Sequence, residues 1–275
     1  MANSWEIKVV RARELLKGLS EEIESYFEIT PPKVRTELVE SPDVYALVLE
    51  EIPAVPDRWS AIVGDIIHNL HSALDSVTYS IITKRAAELG QPIDESKIYF
   101  PFVSSPRKLR SFSGRDWFWH QKVGFEELFS AIDMMMPYYG DLRSDLAPEQ
   151  IEAATTNSQM FLLRKLSNDD KHRSSNLTVC SMDSSWFSLP PNADAQEVIW
   201  TRYPWENRSE IYRVKISGLP SDFNLEFGTK FEIGLARDVF PGQAYGVIPR
   251  LQGLHSKVVW CVDTLSQFTT ATSPA

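Results

Sequence analysis

Asp57–Leu89, DRWSAIVGDIIHNLHSALDSVTYSIITKRAAEL, decides how the rest of the chain must be arranged. Trp59, Ile62, Val63, Ile66, Ile67, Leu70, Leu74, Val77 and Ile81 recur at helical spacing and form a face wide enough to be buried between other helices. Asp57 follows Pro53 and Pro56 and suits the N-terminal cap; Gly90 is a natural stop. The polar side carries Asp65, His68, Asn69, His71, Ser72 and Asp75. Each helical residue advances about 100°, so Asp65, His68 and Ser72 share one line, with His71 and Asp75 as an i,i+4 pair beside it.

A helix this apolar needs partners, and the flanking sequence supplies them. Trp5, Val9, Ala12, Leu16, Leu19, Ile23 and Tyr26 form one stripe of an N-terminal helix that Pro31-Pro32 ends. Between the two helices the period changes to two. Val34, Thr36 and Leu38 alternate with charges, Ser41-Pro42-Asp43 is turn chemistry, and Val44–Leu49 is β-rich, which predicts a hairpin over 33–52. Downstream, 91–140 is irregular and aromatic apart from a short helix over Phe125–Met135. A helical stretch opens at Pro148, is interrupted near Thr155–Asn157, and runs on to His172. Strands are expected at Ser185–Leu189, Val198–Tyr203, Ile211–Ile216, Asn224–Phe227 and Lys230–Leu235. Val247, Leu251, Leu254, Val258, Cys261, Leu265 and Phe268 then make the seam of a last helix, which must dock on the helical layer or on a second copy.

The fold class that follows is α+β: an antiparallel helical bundle with an inserted β-hairpin, an antiparallel β-rich region and a docked C-terminal helix. Residues 1–176 hold the bundle, with the hairpin at 33–52 and the aromatic insertion at 91–140. Residues 177–275 hold the β-rich region and terminal helix, and the two parts are expected to pack as one unit.

At 275 residues and 43% hydrophobic content the chain can bury a sizeable core without staples. Its two cysteines, Cys180 and Cys261, have no CxxC spacing, so neither a disulfide framework nor a thiolate zinc site is indicated. No continuous apolar run is long enough to span a membrane, and the first residues lack the pattern of a secretion signal, so the expected location is cytoplasmic. A net charge of −9 argues against a protein that coats nucleic acid without specificity. It still leaves room for a local basic site, and Arg107, Lys108, Arg110 and Arg115, interleaved with aromatics such as Trp117, form one basic island. No Gly-rich phosphate loop and no GxSxG elbow is present, which disfavours a nucleotide-dependent enzyme or an α/β-hydrolase.

A second polar cluster, Asn168-Asp169-Asp170-Lys171-His172-Arg173, ends the helix that begins after 148. Arg164, Asn168 and His172 share a shallow stripe there, and Asp169 and Arg173 are an i,i+4 pair. If the two helices are neighbours, His68, Asp75, Asn168, Asp170, His172 and Arg173 line one cleft. Gly64-Asp65-Ile66-Ile67-His68-Asn69-Leu70-His71-Ser72-Ala73-Leu74-Asp75, taken with that second cluster, resembles an uncharacterised bacterial and phage family. Its paired motifs read HNLRSALD and, after an asparagine, DKHR. His71 stands where the family has arginine. The resemblance covers roughly residues 5–175 and implies an architecture, with no activity to carry over.

Three functional readings stay open. In the first, the chain resembles the HEPN class of helical-bundle nucleases and is an RNA-cleaving or RNA-binding protein with a role in phage defence. It needs no cofactor, and acts as a metal-independent endoribonuclease if it cleaves. His172 would move protons, Arg164 or Arg173 would stabilise the phosphorane, and His68, Asn168 and Asp75 would complete the site. The basic island would hold unstacked bases and phosphates. Seven residues separate Arg164 from His172, where the class has fewer. In the second reading, His68, His71, Asp75, Asp169 and His172 bind a divalent metal in a metal-dependent enzyme, as facing helices do in bundle enzymes, although no HExxH or Glu-x-x-His pair is present. In the third, the clusters are a satisfied polar network that fixes helix register, with Asp75 accepting from His71 and Asp169 paired with Arg173, in a non-catalytic interaction protein. The expected partners are RNA and, through the last helix, a second copy of the chain.

Overall fold

The structure is a computed structural model that describes residues 3–40, 43–103, 126–136, 159–172, 177–201, 206–220, 225–235 and 246–269. Among these the chain is α+β, with five α-helices and two antiparallel groups of strands. In chain order the elements are α1 (Ser4–Ile29), β1 (Lys33–Glu40), β2 (Val44–Glu51), α2 (Asp57–Glu88), α3 (Glu126–Met135) and α4 (Gln159–His172). They are followed by β3 (Leu177–Ser188), β4 (Asp194–Trp200), β5 (Glu210–Ser217), β6 (Glu226–Leu235) and α5 (Val247–Ser266). No helix among the described residues is long and apolar enough to cross a membrane.

The chain divides into two compact units. One comprises Met1–Lys17, Ala61–Ser174 and Leu251–Ala275; the other comprises Gly18–Ser60 and Ser175–Arg250.

The first unit is helical. Val63, Ile66, Ile67, Leu70, Leu74, Val77 and Ile81 of α2 are buried, as the spacing requires, together with Trp5, Ala12 and Leu16 of α1 and Leu162, Leu163 and Leu166 of α4. Burying a side chain of this size contributes roughly 1.5–3 kcal/mol, so this seam is what holds α2 in place. At its end Gly90 takes φ +61°, and Gln91 N–H returns to the carbonyl of Ala86, a termination that a left-handed glycine permits. The last helix docks within this unit. Leu251, Leu254, Val258, Cys261 and Leu265 of α5 are buried, His255 Nε2 lies 3.3 Å from the Val9 carbonyl, and Lys84 Nζ donates to the carbonyl of Thr269 at 2.5 Å. Gly253 meets Gln159 of α4 so closely that a Cβ there would contact its amide.

The second unit is built on strands. The hairpin forms over 33–51, and β2 then pairs with β5 to give a four-stranded sheet in the order β1-β2-β5-β4; β3 pairs with β6. Leu47, Leu49, Ile211, Tyr212, Val214, Ile216 and Leu225 form its core, with Phe187 of β3 and Phe231 of β6 packed against them. The proline-rich turn before α2 is fastened here. Trp59 is fully buried, edge-on to Tyr26 at 5.2 Å, and its indole N–H donates to Glu22 at 2.8 Å, while Tyr26 donates to the Ala54 carbonyl.

Several expected boundaries change, the strand expected at Val198–Tyr203 among them, which spans Asp194–Trp200. β3 begins at Leu177 rather than Ser185, because Val179 and Cys180 supply a buried pair to its first half. The separate strands expected at 224–227 and 230–235 are one strand, since Gly228 pairs with Trp186 and the ladder continues through it. Asp57 is the first residue of α2 rather than the cap outside it.

Candidate functional site

The polar face of α2 carries two separate arrangements. Its outer line is simple: His68 and Asp65 are exposed, Ser72 Oγ lies 3.4 Å from His68 Nε2, and Asn69 donates to the carbonyl of Asp65 at 2.7 Å. Asn69 therefore binds back onto its own helix.

The i,i+4 pair beside it is more elaborate. His71 Nδ1 lies 3.3 Å from Asp75 Oδ2, and the other oxygen of Asp75 accepts the backbone N–H of Phe100 at 2.9 Å. The His71 ring stacks on Phe102 with centroids 4.7 Å apart and planes 25° from parallel, and Phe102 in turn meets Phe100 edge-on at 4.8 Å. Phe100 is buried, which fixes the segment that brings both contacts. The imidazole is thus held by a carboxylate on one side and an aromatic face on another, and Nε2 has no hydrogen-bond partner among the described residues. A ring nitrogen pinned in this way presents the opposite nitrogen to an incoming proton donor or acceptor, which is the arrangement general acid–base chemistry requires.

Asp75 also lines a cleft of about 460 Å³ in the helical unit, beside Ser4 and Trp5 of α1 and Ser76, Tyr79 and Ser80 of α2. Tyr79 is 40% exposed, and its hydroxyl is bonded to Glu95, a contact that holds the phenol above its ordinary pKa range.

Of the residues marked in the sequence, Asp75 and His71 come together, and His68 joins Ser72. Neither His68 nor Asn168 lines the cleft with Asp75. On α4, Asn168 is exposed and Arg164 half-buried. The side chains of Asp169, Asp170, Lys171 and His172, all of Arg173, and the island Arg107, Lys108, Arg110, Arg115 and Trp117 lie outside the described residues. Among the described residues no group of three or more His, Cys, Asp or Glu gathers as metal ligands do. The set drawn from the sequence, His68, His71, Asp75, Asp169 and His172, ends on two side chains outside that description. Neither cysteine is in a disulfide and both are buried, and burial pushes the Cys261 thiol up to about 12, which removes it as a nucleophile.

Sequence reasoning missed Phe100, Phe102 and Tyr79. The first two sit in an irregular stretch whose approach to α2 has no periodic signature. Tyr79 was legible in principle, four residues beyond Asp75 on the same helix. Comparison of the chain with family models, with curated proteins and with solved structures finds no match.

Proposed function

We propose that the helical unit is a metal-independent endoribonuclease whose proton-transfer group is His71, oriented by Asp75. The observation that supports this reading is the pinned imidazole: carboxylate at Nδ1, aromatic face against the ring, and Nε2 without a partner among the described residues. In the proposed reaction the base removes the proton of a ribose 2′-hydroxyl, the 2′-oxygen bonds to the adjacent phosphorus, and the bond from phosphorus to the 5′-oxygen breaks. A second acid returns a proton to that oxygen, leaving a 2′,3′-cyclic phosphate and a 5′-hydroxyl. The resemblance to the HEPN class assigns the second proton transfer to His172 and the stabilising cation to Arg164 or Arg173.

The test is cleavage of a labelled single-stranded RNA in excess EDTA by the wild-type chain and by His71→Ala, Asp75→Asn and His172→Ala. The expected result is EDTA-resistant cleavage with a cyclic phosphate end. Each histidine substitution lowers the rate by roughly 10²–10⁴, the usual contribution of a positioned acid or base. Cleavage abolished by EDTA, or unchanged in His71→Ala, overturns the proposal.

A further inference from the structure

The two edges of the four-stranded sheet are built differently. β1, at one edge, carries Lys33, Arg35, Glu37 and Glu40, and its pairing slips at Lys33/Val34 and again at Leu38/Glu40. Charges and bulges of this kind discourage a further strand from pairing. β4, at the other edge, has its irregularity at Ala195/Glu197 and then runs regularly through Glu197-Val198-Ile199-Trp200, with no lysine, arginine or proline. Val198, Ile199 and Trp200 are 41%, 53% and 45% exposed.

The core face of the sheet runs out to this edge uncovered. Val198 pairs with Val214 and Trp200 with Tyr212, both of them buried, and the Trp200 and Tyr212 rings lie 5.0 Å apart. Residues directly opposite share a face. The backbone of the same two residues is turned outward. Thr201 N–H donates to the Ile211 carbonyl at 3.0 Å, so by antiparallel alternation Glu197, Ile199 and Thr201 turn their main-chain groups to β5. The N–H and C=O of Val198 and Trp200 therefore point away from it, and among the described residues no strand lies beyond them.

An edge of this kind is completed by another strand, and the run Glu197–Thr201 matches itself. Antiparallel pairing sets outward residues against outward residues. With Ile199 on a two-fold axis, Val198 faces Trp200 of the second copy and Trp200 faces its Val198, each pair exchanging N–H···O=C bonds. The two Ile199 side chains meet on the opposite face, so every apolar residue of the run meets an apolar residue. Glu197 falls opposite Thr201, which keeps the two Glu197 carboxylates roughly 13 Å apart along the ladder, more than a Debye length of about 8 Å. Within its own sheet each Glu197 is already opposite Lys215. Moving the axis to Val198 would set Gln196 against Trp200 and halve the separation of the acids.

We propose that this chain associates as an isologous dimer through β4, with Ile199 on the two-fold axis, which joins the two four-stranded sheets into one. Such a dimer needs nothing from the chemistry assigned to His71. One strand pair makes a small interface at the weak, transient end of protein contacts, so monomer and dimer exchange.

The experiment is sedimentation velocity of the intact protein from about 5 to about 500 µM, on wild type, Ile199→Lys, Ile199→Glu and Val198→Pro. Wild type is expected to shift from monomer toward dimer across this range. Ile199→Lys and Ile199→Glu each set like charges face to face and weaken association about tenfold or more, while an equimolar mixture of the two restores it to within about threefold of wild type. Val198→Pro removes an N–H that points away from β5, so the fold stays intact while association falls about tenfold. Circular dichroism and the unfolding midpoint of each variant, measured at low concentration, confirm that the fold is kept.

A wild type that stays monomeric throughout overturns the proposal; if its edge then takes up an extended peptide of another sequence, the occupant is a different chain. A dimer that persists in both Ile199→Lys and Val198→Pro is held by another face and overturns it equally. If both charge variants dissociate and their mixture stays monomeric, Ile199 does not meet its own copy and the register fails.

Discussion

Replacing Asp75 by alanine removes the hydrogen bond from the Phe100 amide at 2.9 Å and, with it, the close contact to His71 Nδ1 at 3.3 Å. A hydrogen bond to a charged group nets about 1.5–3 kcal/mol when it is buried. With the Asp75 side chain 34% exposed, solvent screening brings the total for Asp75→Ala to about 2 kcal/mol. Asp75→Asn keeps a carbonyl oxygen for the Phe100 N–H and forfeits only the charge, so it costs roughly half as much. The site-resolved readout is amide hydrogen exchange at Phe100, which accelerates roughly ten- to thirtyfold in Asp75→Ala, at 1.4 kcal/mol per factor of ten, and about three- to fivefold in Asp75→Asn. Urea unfolding of the two variants gives the same order of stability. Identical Phe100 exchange in wild type and Asp75→Ala would show that the carboxylate does not hold this segment, and the orientation argued for His71 would go with it.

Two further predictions concern pH. Burial pushes the Glu232 carboxyl above its ordinary range against a weaker pull from Lys230, and its Oε2 is buried without a hydrogen-bond partner among the described residues. A raised folded-state pKa favours the protonated form, so this contribution to stability is full below the ordinary glutamate value and is lost as pH rises through the folded one. Glu232→Gln therefore raises the thermal midpoint at neutral pH and has little effect near pH ~4; a lower midpoint at neutral pH contradicts this. For His255 the sign is opposite. Burial, with a smaller push from Arg13, depresses its pKa against the bond to the Val9 carbonyl, so its contribution is present above the ordinary histidine value and fades as pH falls through the folded one. The drop in thermal midpoint between about pH 7.5 and about pH 5.5 is expected to shrink in His255→Gln, and an unchanged drop counts against the assignment.

The helices were legible because burial on one face imposes its own period. The α1 stripe illustrates this: Trp5, Ala12, Leu16, Leu19 and Ile23 are buried, and α2 and α5 bury their predicted seams except at Ile62 and at Phe268, which lies beyond the end of α5. The hairpin was legible for the matching reason, since its alternation and turn residues lie close together in the sequence. Contacts made at a distance were not. Nothing local to Val44–Leu49 says that Tyr45 faces Val214, and nothing local to Phe100 says that its amide ends on Asp75. Glycine misled at β6, where Gly228 reads as a break but sits inside a ladder opposite Trp186. The His71–Asp75 pair was readable from helical spacing alone; what surrounds it was not.

The position of β2 has a consequence for how the polypeptide reaches its final state. Val44 is matched to Lys215, so the second strand of an early hairpin waits for residues made far later. Through that interval Leu47 and Leu49, which end fully covered, belong to a ribbon with one unsatisfied margin. Such a margin invites pairing with another nascent copy. The hazard is greatest for chains halted between the hairpin and residue 210, and those are the species in which aggregation should first be sought during expression.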